Sequence, residues 1–266
     1  MLKRLKRLGV NVYNKQNVIK WDVNTFIKLY NEGKTLTEIS EICIVSVSTV
    51  SLALKKIKFK VNNKQNETKF NENIFNVIDN EEKAYWLGFI YADGYVSYDR
   101  NTFELSLSLK DIEHLKRFAD FMGYSDNVKT DDYRCRFYVS NKHLKARLIE
   151  LGVIPRKSLT LTFPTSEQVP NNLIHHFIRG YFDGDGTIIT KETSCVKLRI
   201  SLLGTESFLK SVLYAVDIEK KVYKTKSKVM YFALAVKNST KFCEYIYKDC
   251  TITLLRKKYL YERLPS

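Results

Sequence analysis

The spacing of apolar residues divides the chain into a short helical segment and a longer region in which one pattern occurs twice. In DVNTFIKLYNEGKTLTEISEICIVSVSTVSLALKKI (22–57), Phe26, Ile27, Leu29 and Tyr30 predict a helix that stops at Glu32–Gly33. Leu36, Ile39 and Ile42 predict a second helix. A third, opened by Ser46 or Ser48 as N-cap, carries Val50, Leu52 or Ala53, and Leu54.

From residue 80 onward the pattern is longer and duplicated. EEKAYWLGFIYADGYV (81–96) corresponds to NLIHHFIRGYFDGDGTI (172–188) at an offset of 92, and each opens an apolar helix. After each come two strands, at 95–99 and 103–109, then at 187–193 and 196–203. A helix follows at 111–122 and 205–215. Strands at 127–131 with 134–139, and at 219–225 with 228–236, lead to a last helix at 141–151 and 239–248. FELSLSL and VKLRISLL alternate with the period of strands that have one buried and one exposed face, so each half is predicted as an α+β unit with helices on one face of an antiparallel sheet.

The helical segment is flanked by a repeat of its own. LKRLGVNVYNKQNVIKWDVNTF (5–26) recurs as LKKIKFKVNNKQNETKFNENIF (54–75), at an offset of 49. The three-helix stretch resembles a helix-turn-helix, with Ile44 where a turn glycine is usual, or else is a plain packing module. Since 54–75 follows such a unit, residues 1–21 are expected to be a basic arm that ends a preceding unit of the same kind. The expected organisation is therefore 1–21 arm, 22–59 helix-turn-helix, 60–78 extended basic linker, 79–165 first copy and 166–266 second copy. The connectors read equally as groove-tracking arms or as flexible linkers.

Charge narrows the partner. The 266 residues hold 44 Lys+Arg against 29 Asp+Glu, a net +15, and residues 1–78 alone hold 14 against 6. Such an excess points to a polyanion, nucleic acid ahead of a membrane surface. No apolar run approaches bilayer length and MLKRLKRLGV lacks an apolar signal stretch, so a soluble, intracellular protein, cytoplasmic or nucleoid-associated, is expected. The five scattered cysteines and four histidines lack zinc-ligand spacing; His175 and His176 read as a polar helix flank.

The duplicated helices carry the candidate chemistry. Gly88 and Ala92 in the first, and Gly180 and Gly184 in the second, lie four residues apart on one helix face. Small residues there let two helices pack closely about a pseudo-two-fold axis, and Gly94 and Gly186 are expected to end them as left-handed caps. Asp93 and Asp185 then emerge side by side at the carbonyl ends of both helices, where carboxylates are disfavoured unless a cation binds. Oxygen ligands suit a hard ion such as Mg²⁺. Either Asp-Gly alone also reads as an ordinary turn.

WLGFIYADG and IRGYFDGDG resemble the LAGLIDADG motif, and the chain over 80–264 resembles a monomeric, two-motif LAGLIDADG homing endonuclease with an appended N-terminal module. The resemblance implies two αββαββα units with saddle-shaped sheets, a long asymmetric double-stranded DNA target and cleavage of both strands across the minor groove. It implies Mg²⁺, with Mn²⁺ able to substitute, at Asp93 and Asp185; Asp183, at the sixth motif position, is secondary. It also implies a basic residue from each half near the scissile phosphate: LGVIPRKSL and ITLLRKKYL supply Lys157 and Lys257, which act in the chemistry or only neutralise phosphate.

The expected DNA-facing residues are Arg134, Arg136 and Tyr138 on one strand, Lys197 and Arg199 on another, and Lys224, Lys226 and Lys228 near a hairpin turn. Ser48 and Thr49 of the third N-terminal helix and Lys64 of the connector complete the set. A DNA-binding regulator without cleavage and an intron-splicing maturase are the rival readings of the same fold.

Overall fold

The computed structural model describes residues 22–59, 70–155, 160–192, 196–226 and 229–263, apart from the side chains of 190–197. The chain divides into two units, Met1–Glu67 and Thr68–Ser266.

In the first unit, α1 (Val23–Asn31) is capped by the Asp22 carboxylate and ends before Gly33, whose φ is 91°. A capping box of Thr35 and Glu38 opens α2 (Leu36–Cys43), and the Ser46 hydroxyl accepts from the Thr49 N–H to open α3 (Val47–Lys56). Phe26, Ile39, Cys43, Val50 and Leu54 form the core. Ile42, expected inside, is 50% exposed, and of the alternatives Leu52 and Ala53 it is Ala53 that packs against this core, Leu52 being 60% exposed. The inward stripe of α2 runs through Ile39, Ser40 and Cys43, so Cys43 fills the place assigned to Ile42. The axis turns by 108° between α2 and α3, within the helix-turn-helix range. Ile44 makes the turn with φ 54°, a left-handed conformation that strains a β-branched residue.

The second unit holds the duplicated fold. The first copy runs α4 (Glu81–Asp93), β1 (Gly94–Val96), β2 (Thr102–Ser108), α5 (Ile112–Phe121), β3 (Val128–Thr130), β4 (Arg134–Ser140) and α6 (Lys142–Glu150). The second runs α7 (Ile174–Asp185), β5 (Gly186–Glu192), β6 (Val196–Gly204), α8 (Glu206–Ala215), β7 (Tyr223–Lys224), β8 (Met230–Leu234) and α9 (Val236–Tyr247), followed by α10 (Leu255–Glu262). This is the expected αββαββα order. Each copy folds into a four-stranded antiparallel sheet, in the order β1-β2-β4-β3 and β5-β6-β8-β7.

One face of each sheet is covered by helices. Cys135, Phe137 and Val139 of β4 are buried while Arg134, Arg136 and Tyr138 between them are exposed; Phe137 meets Phe118 of α5 edge-on at 5.2 Å. In the second copy Leu198, Ile200 and Leu202 are buried, and Phe232 packs near Phe242 of α9 at 6.2 Å. Residues 70–78, assigned to the linker from composition, belong instead to this core. Ile74, Phe75 and Ile78 are buried, the Asn71 N–H donates to the Met122 carbonyl at 2.9 Å, and Arg147 donates to the Phe75 carbonyl at 3.0 Å. A segment without 3.6-residue periodicity still buries three apolar side chains when a preformed helix layer receives it.

Candidate functional site

The two motif helices meet as their small residues require. A Cβ on Gly88 would overlap the Phe177 carbonyl, and one on Gly180 would overlap the Tyr85 carbonyl. Both pairs obey the offset of 92, so the contact is pseudo-two-fold. One turn further on, Ala92 faces Gly184, where a second methyl group would collide with the first. Backbones approach this closely only without side chains between them.

Asp93 and Asp185 are the last residues of α4 and α7. They share surroundings: a Cβ on Gly184 would lie 3.0 Å from an Asp93 carboxylate oxygen, and both charges act on the Tyr181 hydroxyl and on Lys257. Gly94 and Gly186 are not left-handed caps. Their φ values, −72° and −84°, are extended, and each is the first residue of a strand. Glycine is required there for space, since a Cβ on Gly94 would lie 2.6 Å from the Ile90 side chain and one on Gly186 would enter the Phe182 ring.

Lys257 also departs from expectation. It is 3% exposed, and its ammonium donates to the carbonyls of Phe182 at 2.7 Å, Asp183 at 2.8 Å and Gly186 at 2.5 Å. All three N–H donors are used on the carbonyl end of α7, the negative pole of that helix. Burial pulls its pKa down to about 8, opposed by the charges of Asp183, Asp93 and Asp185, so the ammonium stays charged at neutral pH. The side chain is thus a helix-end clamp directly behind Asp185, with no exposed ammonium to meet a phosphate.

The sixth motif positions differ between copies. Tyr91 donates to the Leu151 carbonyl just after α6. Asp183 is fully buried and accepts from the Leu254 N–H at 2.7 Å, the Tyr85 hydroxyl at 2.8 Å and the Thr253 hydroxyl at 3.0 Å. Burial pushes the Asp183 carboxyl up, against Lys257 and these hydrogen bonds, which pull it down. Tyr85 also bonds His114 at 2.9 Å, and burial drags the His114 pKa down to about 3.

The sequence reading missed an ion pair beside this site. Arg179, wholly buried, donates to Glu81 at 2.5 Å, the Ile246 carbonyl at 2.8 Å and the Ile252 carbonyl at 2.9 Å, and bonds His176 at 2.8 Å. His176 is therefore buried rather than a helix flank. The available signal was Arg179 at the motif position that is Leu87 in the first copy.

Arg199, Lys224 and Lys226 are exposed with Arg134, Arg136 and Tyr138 on the second unit. Ser48 and Thr49 are exposed at the start of α3, with hydroxyls 2.8 Å from that of Ser46. Lys64, Lys157, Lys228 and the side chain of Lys197 lie outside the described residues. Among the described residues no three His, Cys, Asp or Glu side chains cluster as a metal cage. The two carboxylates at the helix carbonyl ends, Asp93 and Asp185, are oxygen donors of the kind that suits a hard cation.

A LAGLIDADG-like domain is matched over residues 172–255. The chain is 28% identical over 170 residues to the replication factor C small subunit of Methanocaldococcus jannaschii, a match covering 60% of this chain and 9% of that protein. Among solved structures, the LAGLIDADG homing endonuclease I-GzeII in complex with DNA target is 14% identical, with 68% of this chain and 87% of that one covered and a TM-score of 0.46. The LAGLIDADG meganuclease I-CpaMI bound to uncleaved DNA is also 14% identical, with 69% and 90% covered and a TM-score of 0.47. The family match lies in the second copy alone, and the first copy repeats that copy's element order and helix contacts.

Proposed function

We propose that this chain is a site-specific double-strand DNA endonuclease that acts as a monomer and depends on a divalent cation, Mg²⁺ or Mn²⁺. The observation that carries this reading is the pairing of Asp93 and Asp185 at the base of a pseudo-two-fold helix pair, one carboxylate from each copy. Two acids beside two helix carbonyl ends oppose both DNA phosphates and each other. A protein that only binds DNA gains nothing from them.

Asp93 and Asp185 would hold the cations, which supply Lewis-acid stabilisation of charge at the scissile phosphates. Their own task is to place one carboxylate toward each strand. Lys257 keeps the end of α7 in position by tying down three carbonyls, and the tight helix contact fixes the spacing between the two acids. Exposed Arg134, Arg136, Tyr138 and Arg199 would contact bases and phosphates, as the named DNA complexes of similar fold suggest. The N-terminal unit would extend the target through α3, led by Ser48 and Thr49.

The test is incubation of the full chain with a randomised plasmid library, in Mg²⁺ and in EDTA. Double-strand breaks at one sequence in Mg²⁺ alone are expected. Asp93→Asn and Asp185→Asn should each abolish them while leaving DNA affinity in EDTA nearly unchanged. Binding of one site without breaks in Mg²⁺ or Mn²⁺ would refute the nuclease reading in favour of a non-cleaving regulator.

A further inference from the structure

The strand registers allow the exposed sheet faces of the two copies to be compared residue by residue. Gly94 pairs with Leu105 in the first sheet and Gly186 with Leu202 in the second, so both sheets start from the glycine that follows the paired Asp. On the adjoining exposed row, on the side of the paired Asp, Ser106 pairs with Arg136 and Arg136 with Lys129. At the matching places Leu203 pairs with Tyr231 and Tyr231 with Tyr223. The Arg136 side chain is 48% exposed, and Leu203 and Tyr223 are 41% and 44% exposed. The tyrosine rings lie 5.8 Å apart and form an open aromatic step where the first copy carries two cations.

Resting on the proposed DNA reading, we propose that this row makes the target asymmetric in base chemistry at equal distances from its centre. Arg136 takes a guanine in the half-site under the first copy, and the Leu203–Tyr231–Tyr223 step takes thymine in the half-site under the second. A guanidinium matches guanine O6 and N7 as a bidentate donor, whereas an apolar step has no partner in the major groove as suitable as the thymine methyl group. The occupant is duplex DNA because the chain carries a net +15 and this apolar step sits in a sheet row whose counterpart is cationic. The half-exposed Asp131 carboxylate, 3.7 Å from Arg136, leaves the guanidinium accessible while biasing its direction.

The experiment selects duplexes from a randomised pool with the full chain in EDTA, so that binding is read without cleavage. The selected site should show guanine in one half and thymine at the mirrored position of the other. Arg136→Ala should lose a preference of roughly 10-fold or more at the guanine and nowhere else. Replacing the thymine with uracil, which deletes only its methyl group, should weaken binding several-fold in the second half. Grafting Leu203→Ser, Tyr231→Arg and Tyr223→Lys should move the second half toward guanine. A site with the same base at both mirrored positions, guanine retained by Arg136→Ala, or no effect of uracil would overturn this inference and leave the DNA reading intact. Recovery of duplexes without any sequence preference would overturn both.

Discussion

Tyr91 in α4 and Asp183 in α7 occupy the same motif position and hold the same place, the segment that follows the last helix of their own copy. Tyr91 does so by donating to a carbonyl, and Asp183 by accepting from an N–H and two hydroxyls. Four residues before them, Leu87 is buried among apolar side chains, while Arg179 is buried in a polar network that ends on Glu81 of the other copy's helix. The small-residue contact is thus preserved in both copies while the side chains around it have diverged. Backbone approach tolerates no addition, but a latch can be built from either end of a hydrogen bond.

The shared part of this comparison should be the most fragile. Gly88→Leu and Gly180→Leu each drive a side chain into a backbone carbonyl of the facing helix, so each should cost more than the usual 1–3 kcal/mol of an overpacked core and abolish a cooperative thermal transition. Equal damage from both variants is expected. An unchanged melting temperature for either would break the pseudo-two-fold description.

Arg179→Leu makes α7 resemble α4 and strands Glu81, at an expected cost of about 3–5 kcal/mol in chemical denaturation. Adding Glu81→Leu should recover much of it, because the desolvated partner is then gone. If the double variant is no better than the single one, Arg179 stabilises through its carbonyl contacts rather than through Glu81.

Next comes pH. Burial holds His114 near a pKa of about 3 and His176 near about 4, both below the ordinary 6.5. Between those values and 6.5 the unfolded chain binds more protons, so their contribution is present above pH 6.5 and is lost on acidification, by about 1.4 kcal/mol per pH unit for each group. Asp183, pushed up by burial, acts in the opposite sense: its contribution is full below 3.8 and falls as pH rises through its raised value. His114→Gln should therefore flatten the loss of stability between pH 6 and about 4, and Asp183→Asn should steepen it. Denaturant melts across that range measure both, and identical slopes in the two variants would contradict the assignment.

The smallest effects sit at single hydrogen bonds and single dihedral angles. Tyr91→Phe should cost about 1 kcal/mol, leaving the Leu151 carbonyl without the hydroxyl, and should affect stability rather than cleavage. In the other unit, Ile44→Gly should relieve left-handed strain of about 1 kcal/mol, raising the stability of the three-helix segment in hydrogen exchange.

Much of the second unit was legible because its signals are local and periodic. The alternation in β2, β4 and β6 marked their buried faces, and Gly88, Ala92, Gly180 and Gly184 at i,i+4 spacing marked the helix contact. The duplication placed Asp93 and Asp185 together. Position-by-position comparison of the copies also held a hint of asymmetry, since Leu87 and Tyr91 give way to Arg179 and Asp183.

Other features depended on residues far apart in the chain. Arg179 and Glu81 are 98 positions apart, and Lys257 is more than 70 positions from each carbonyl it binds. Composition marks lysine and arginine as surface residues, but a long side chain goes inward when packing supplies enough acceptors to replace water. Residues 70–78 were assigned to a linker for a related reason: burial of Phe75 is decided by the helices waiting to receive it. Gly94 and Gly186 could be recognised in the sequence as needing to be glycine. Whether the need was for a positive φ or for room beside Ile90 and Phe182 was decided only by how each helix enters its strand, because both demands select the one residue without a Cβ.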